Sequence, residues 1–217
     1  MKRLRSFLRS LAGARSGVAA IEFALTLPFL TAAGLYGTEL TWFMLVNMKV
    51  SQVAMQAADN ASRIGDTATL QQRKIYESDI NDLLIGANLD GGAMVNMLKN
   101  GRVIISSLEV NSASKQYIHW QRCKGLKNVA SSYGVAGDIK SSGMGPVDHE
   151  VTAIAGDAVI FVEISYDYQP LVTDKFIKDR NIRAIASFNV RDSRDLSQIY
   201  QYSSPASVAS CSTFSAS

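Results

Sequence analysis

The strongest pattern along the chain is a long run of apolar residues near its N-terminus. Residues 18–48 carry only two charges, Glu22 and Glu39. As an α-helix this run would extend roughly 46 Å at about 1.5 Å per residue, which is more than the ~30 Å hydrocarbon layer of a membrane. Trp42 and Phe43 stand where an interfacial aromatic belt is expected. The pattern predicts one membrane-spanning helix.

The charges outside this run predict its orientation and limit the partners. Residues 1–17 hold five cations and no acid. The rest of the chain, residues 18–217, holds the other 17 cations and all 19 acids, so its net charge is −2. By the positive-inside rule, the N-terminus is expected in the cytoplasm. The part of the chain that follows the apolar run, which we call the body, is then expected on the other side of the membrane. Residues 18–217 are slightly acidic and have no spare basic face, which argues against a nucleic-acid partner.

Three other interpretations of the apolar run stay open. The first is a buried core helix, although such helices rarely sustain this length. The second is a cleaved secretory signal, with the small residues Thr31 and Ala33 before a cut at Gly34. Against it, the apolar sequence continues well past that point. The third is a plain membrane anchor that is not processed.

Glu22 indicates a more specific role for the segment than that of a plain anchor. A carboxylate near the start of an apolar helix is costly in lipid and normally implies a partner for its charge. It is the fifth residue when Val18 is counted as the first. The stretch GVAAIEF at residues 17–23, behind a short basic leader, resembles a type IV prepilin peptidase site. The resemblance implies cleavage between Gly17 and Val18, and pairing of the new N-terminal amine with Glu22. Such a pair enters a helical bundle more cheaply than either charge alone.

The longer sequence GVAAIEFALTLPFL at residues 17–30 resembles the N-terminus of TadE-like proteins, the minor pseudopilins of the bacterial tight-adherence (Flp, type IVb) pilus system. Glu39 resembles the second acidic position late in the family's hydrophobic helix, so helix packing and charge pairing are expected at Glu22 and Glu39. TadF and TadG relatives share this N-terminus, and length and a single span favour the TadE kind.

The same resemblance implies a location and a set of partners. The chain would lie in the inner membrane, with residues 18–65 as the helix and 66–217 as a periplasmic domain behind the leader, residues 1–17. Its partners would be the membrane, a prepilin peptidase, and other pilus and pseudopilin subunits, in a system that serves cell adhesion. No cofactor is implied.

The residues after the apolar run predict further helices. A stripe of small apolar residues from Val50 to Ile64 recurs at three- and four-residue steps, and Gly65 is a plausible stop. The stripe packs either on a neighbouring subunit or on the chain's own domain. A second helix is expected from Thr69 to Ile85, broken by the Asp-Gly-Gly at residues 90–92, and a short third helix from Ala93 to Leu98.

The second half of the body reads as a small antiparallel sheet, which makes the fold class α+β with a pilin-like outline. Ile185 and Phe188 are expected to be buried in the last strand. The glycine-rich loop at residues 124–157 is long enough to be functional or mobile. The strands are expected at residues 102–110, 115–121, 158–168 and 183–190.

The candidate chemistry of the body is sparse. In an exported domain Cys123 and Cys211 are expected to form a disulfide, which would contribute about 4 kcal/mol if it is unstrained. His119 and the Asp-His-Glu at residues 148–150 read as surface histidines, and two cysteines with two histidines argue against a zinc site. No hydrolase or nucleotide-binding motif is present, so no enzymatic activity is predicted. The alternative function is an anchored or secreted domain that binds a ligand through the 124–157 loop.

Overall fold

The structure is a computed structural model that describes residues 16–65, 72–191 and 193–216. It confirms the α+β class, with a long N-terminal helix followed by short helices and a four-stranded antiparallel sheet. The described residues form two compact units, residues 16–42 with 170–176 and residues 43–169 with 177–216. The elements are α1 (Ser16–Arg63), α2 (Glu77–Val95), α3 (Met97–Asn100), β1 (Gly101–Val110), β2 (Gln116–Lys124), β3 (Ala158–Asp167) and β4 (Asn181–Asn189).

The sheet has the order β2-β1-β3-β4, and every neighbouring pair is antiparallel. Strand β1 is central and is buried along nearly its whole length. The burial predicted for β4 is wrong at Ile185, which pairs with Glu163 and is 38% exposed, whereas Ile182 and Ala184 are buried. Phe188 is half-buried. Phe188 shares the covered face with Ile182 and Ala184, whereas Ile185 points to the other face.

Helix α2 begins later than predicted and continues past the expected break. Residues 69–71 of the predicted helix lie outside the described residues. Arg73 and Tyr76 form parallel bridges with Arg194 and Tyr200 instead of a helical turn, so tertiary pairing outweighs the helical periodicity here. The expected stop at residues 90–92 becomes a kink at Gly92 (φ 62°), which glycine adopts without a steric penalty. The next helix then covers Met97–Asn100.

One face of the sheet is covered by the 124–157 loop. Met144 joins the buried cluster of Leu108, Ile118, Val159 and Phe161, and Tyr133, Val151 and Ala153 pack against it. The Tyr133 ring meets Phe161 edge-on, with centroids 5.0 Å apart. The loop lacks regular structure because its backbone turns repeatedly at glycines, yet these four side chains pack on the sheet. The loop is therefore held against the sheet at these positions, while Val147 and Ile154 stay exposed.

Helices lie on the opposite face. The Arg122 side chain projects there from β2 and donates hydrogen bonds to Glu77 at the start of α2, with Nε 2.9 Å from Oε2. In the same unit, the C-terminal part of α1 buries its stripe of small residues, so the stripe packs on the chain's own domain. The helix ends at Arg63, close to the expected stop at Gly65. The buried members of the stripe are Val50, Val53, Ala54, Ala57, Ala58 and Ala61.

Candidate functional site

The N-terminal half of α1 exposes its apolar side chains along its whole length. An 18-residue window of this helix has a mean hydropathy of 1.8, and none of it is buried. Phe29 alone is 77% exposed. A core helix would hide these side chains, so the exposure argues against that interpretation. By length and composition the segment can cross a membrane as a single-pass anchor. The exposed residues include Val18, Ile21, Phe23, Leu25, Leu27, Leu30, Leu35 and Leu40.

The threonine hydroxyl groups in this half of α1 donate hydrogen bonds within the helix. Thr26 donates to the carbonyl oxygen of Glu22 at 3.0 Å, and Thr31 donates to that of Leu27 at 2.9 Å. Thr38 and Thr41 make the same bond to the residue four positions back. A hydroxyl that is bonded to its own backbone enters hydrocarbon without losing a hydrogen bond. The threonines of the segment are thus compatible with lipid.

The residues of the expected cleavage site lie in the first turns of α1. Gly17 is unobstructed, since a Cβ placed there would meet no other atom within 4 Å. Val18 and Glu22 are separated by four residues and therefore share one face of the helix. Glu22 is exposed, and within the described residues its carboxylate has no hydrogen bond or ion pair. The leader up to residue 15, with its five cations, lies outside the described part of the chain.

Glu39 has a very different environment from Glu22. It is fully buried, and its carboxylate accepts hydrogen bonds from the backbone N–H groups of Leu171 (3.3 Å) and Val172 (2.6 Å). Hydrogen bonds to a charged group contribute about 1.5–3 kcal/mol each. Three residues earlier on the same helix, the Tyr36 ring meets Phe176 edge-on at 5.4 Å. Residues 170–176, which we call the strap, are thereby fixed to α1.

No pattern in the sequence indicates this contact. Charge pairing was expected at Glu39, and the expectation did not include backbone amides more than 130 positions away. The strap follows β3 in a stretch that contains Pro170, where a connection to the next strand was expected. No periodicity in that stretch marks an acceptor for its N–H groups. One signal could have indicated the contact. The chain has an acid inside an apolar helix and, elsewhere, an apolar loop whose N–H groups could bind it.

Cys123 and Cys211 form the expected disulfide across 88 positions. The C-terminal tail that it joins to β2 is held by a second clamp. Arg102, buried on β1, donates to the carbonyl oxygens of Cys211 (2.7 Å), Thr213 (3.1 Å) and Gly125 (3.2 Å). The guanidinium also lies 4.2 Å from the centre of the Phe214 ring. Burial lowers the pKa of Arg102.

The two histidines lie in different surroundings. His119 Nδ1 lies 2.8 Å from Glu109 Oε2, and Ser107 donates to the other oxygen of that carboxylate at 2.6 Å. The hydrogen bond to Glu109 raises the pKa of His119, although burial opposes the shift. The contact is internal and structural, whereas His149 lies in an exposed turn of the loop. Cys123, four residues from His119, is in the disulfide and offers no thiolate.

A comparison with protein families identifies the N-terminal segment. Residues 17–59 match the family model described as TadE-like protein, which confirms the resemblance found at residues 17–30. The matched segment covers Gly17, Glu22 and Glu39, the exposed half of α1 and most of the buried stripe. No curated protein and no solved structure matches the chain. The match indicates a function connected with the tight-adherence pilus.

Proposed function

We propose that the protein is a minor pseudopilin that takes part in the assembly of a tight-adherence pilus after a prepilin peptidase cuts it behind Gly17. The observation that carries the proposal is the TadE-like match over residues 17–59, which includes the whole exposed apolar half of α1. An apolar helix that the chain itself leaves uncovered needs lipid or other helices around it. Both surroundings occur along the route of a pilin-like subunit.

The chemistry at the N-terminus supports the proposal. Cleavage would remove the five leader cations and create one ammonium on Val18. That ammonium and the Glu22 carboxylate would lie about one helical turn apart, on the same face. Glu22 has no partner within the described residues, so its carboxylate is available to the new amine, either of its own chain or of a neighbour. A neutralised pair removes the cost of carrying a lone charge into a helical bundle.

The compartment follows from the same proposal. The N-terminus would lie in the cytoplasm and the body in the periplasm, anchored in the inner membrane. A disulfide between Cys123 and Cys211 fits an oxidising compartment. A structural subunit needs no catalytic group or cofactor, and we propose none. The alternative, a binding domain that uses the 124–157 loop, has less support because Tyr133 and Met144 of this loop pack on the sheet.

The experiment compares leader cleavage with pilus assembly in cells that carry Glu22→Ala. We expect cleavage to proceed and pilus yield to fall, because the ammonium on Val18 loses its carboxylate. Thr26→Val is the matched control, since it changes a polar residue one turn further along whose hydroxyl bonds only to its own backbone. The control should leave both readouts unchanged. Normal piliation in the Glu22→Ala cells would show that charge pairing is not required.

A further inference from the structure

The strap at residues 170–176 carries apolar side chains that the structure leaves uncovered. Leu171 is 57% exposed, and Val172 and Phe176 are also exposed. A solvent-exposed turn usually carries polar residues in such positions. Here the backbone N–H groups of Leu171 and Val172 are bound to the buried Glu39, and Phe176 has one contact with Tyr36, so the strap is held in place while the side chain of Leu171 and part of Phe176 stay exposed for another contact.

The position of the strap along α1 identifies the surroundings it meets. Glu39 lies 21 residues after Val18, which corresponds to roughly 32 Å of helix at about 1.5 Å per residue. The hydrocarbon layer of a membrane is about 30 Å thick. If the span begins at Val18, Glu39 and the strap lie at the far boundary of the layer. Leu35, Tyr36 and Leu40 are exposed at the same level of the helix, so the apolar surface of the span continues into the strap.

We propose that the strap is a second membrane contact, which inserts Leu171 and Phe176 into the outer interfacial layer beside the helix. The inference rests on the proposed membrane anchoring of α1. It favours lipid over a protein partner because the strap continues a helix surface that lipid already surrounds. The exposed Asp174 and Lys175 cancel in charge, so the contact depends on the apolar side chains and requires no anionic lipid.

Glu39 acts as the positioning residue for this contact. Free N–H groups at the edge of the hydrocarbon layer would be costly to desolvate. The Glu39 carboxylate accepts hydrogen bonds from the N–H groups of Leu171 and Val172, and this allows the backbone there to approach the layer. The acid itself would be costly near lipid without such donors. The carboxylate and the two N–H groups therefore lower each other's cost of desolvation near the membrane.

The test places an environment-sensitive fluorophore on the full chain, reconstituted at low density in vesicles of phosphatidylcholine alone. Leu171→Cys is labelled after the native disulfide has formed. Leu30→Cys serves as the reference for lipid, and Val147→Cys, at a position 80% exposed in the body, as the reference for water. We expect the probe at residue 171 to emit near the wavelength of the residue 30 probe and to be quenched by nitroxides on the lipid chains.

The outcomes separate the two proposals. A probe at residue 171 that behaves like the one at residue 147, while residue 30 reports lipid, overturns the membrane contact of the strap alone. A probe at residue 30 that reports water overturns the anchoring of α1 and the strap contact with it. Adding Glu39→Gln should shift the emission of the probe at residue 171 toward that of the water reference. The emission of the probe at residue 30 should not change. An unchanged signal at residue 171 would overturn the positioning role of Glu39.

Discussion

The carboxylate of Glu39 accepts a 2.6 Å hydrogen bond from the backbone N–H of Val172, a residue 133 positions further along the chain. The contact supplies hydrogen-bond donors to a fully buried acid in the mostly apolar half of α1. A buried carboxylate without donors would be strongly destabilising. The acid is thus retained in the helix because a distant segment supplies the donors that it needs.

The first prediction concerns this hydrogen bond. Glu39→Gln removes the negative charge and turns one acceptor into a donor that faces another donor. We expect the N–H groups of residues 171 and 172 to exchange hydrogen about tenfold faster or more, since each lost bond to a charged acceptor corresponds to about 1.5–3 kcal/mol. Hydrogen exchange with mass spectrometry on the detergent-solubilised protein measures the rate. Thr38→Val, next to Glu39, is the control, and equal rates in both variants would contradict the account.

The second prediction concerns the disulfide between Cys123 and Cys211. Its reduction removes a constraint on a loop of 88 positions, so the free energy of unfolding should fall by about 4 kcal/mol. Chemical denaturation of the oxidised protein and of the Cys123→Ser, Cys211→Ser double variant measures the difference. Reducing agent added to the double variant should have no effect. A double variant as stable as the oxidised protein would show that the bridge adds no stability.

The third prediction concerns the second clamp on the same tail. Arg102→Met removes a buried guanidinium that binds three carbonyl oxygens, and we expect the free energy of unfolding to fall by about 2–4 kcal/mol. Arg102→Lys should be intermediate, because an ammonium keeps the charge but not the forked geometry. Arg183→Met, at an exposed arginine of β4, should change the stability by less than about 0.5 kcal/mol. Equal effects of the two methionine variants would count against the clamp.

The fourth prediction concerns the pH dependence of stability. The pKa of His119 is raised in the folded protein, chiefly by the hydrogen bond to Glu109. The protonated pair therefore stabilises the fold fully below the unfolded pKa of about 6.5, and this contribution is lost as the pH rises through the raised folded value. His119→Gln should destabilise the protein more below pH ~6.5 than in alkaline solution.

Denaturation midpoints of wild type and variant across this range measure the effect. His149→Gln makes the same replacement at the exposed histidine of the loop and serves as the control. A penalty for His119→Gln that is the same at every pH would show that the pair does not titrate with folding.

Local patterns in the sequence predicted the parts of the fold that depend on local composition. The charge-poor run predicted α1, and the alternating segments predicted four strands. The start of α2 was wrong because Arg73 and Tyr76 pair with residues more than 120 positions away. The burial of Ile185 was wrong because strand alternation alone does not tell which side the core covers.

In the candidate functional site, too, local features could be predicted from the sequence and distant contacts could not. Gly17, Val18 and Glu22, whose roles in cleavage and charge pairing stay predictions, could be picked out because their motif is short and local. The partners of Glu39 could not, since the donors belong to a strap with no motif of its own. The packing of Tyr133 and Met144 was missed for a similar reason: a turn-rich segment hides which of its few apolar side chains reach the core.

The central claim is that the chain is processed as a prepilin, and the N-terminus of the protein in its native membrane fraction tests it most directly. The terminal peptide should be identified by mass after labelling of free amines. The account predicts a chain that begins at Val18, with Gly17 as the last residue removed. A chain that begins at Gly34 would indicate a secreted domain, and an intact N-terminus at Met1 or Lys2 a plain anchor, and either result would contradict the account.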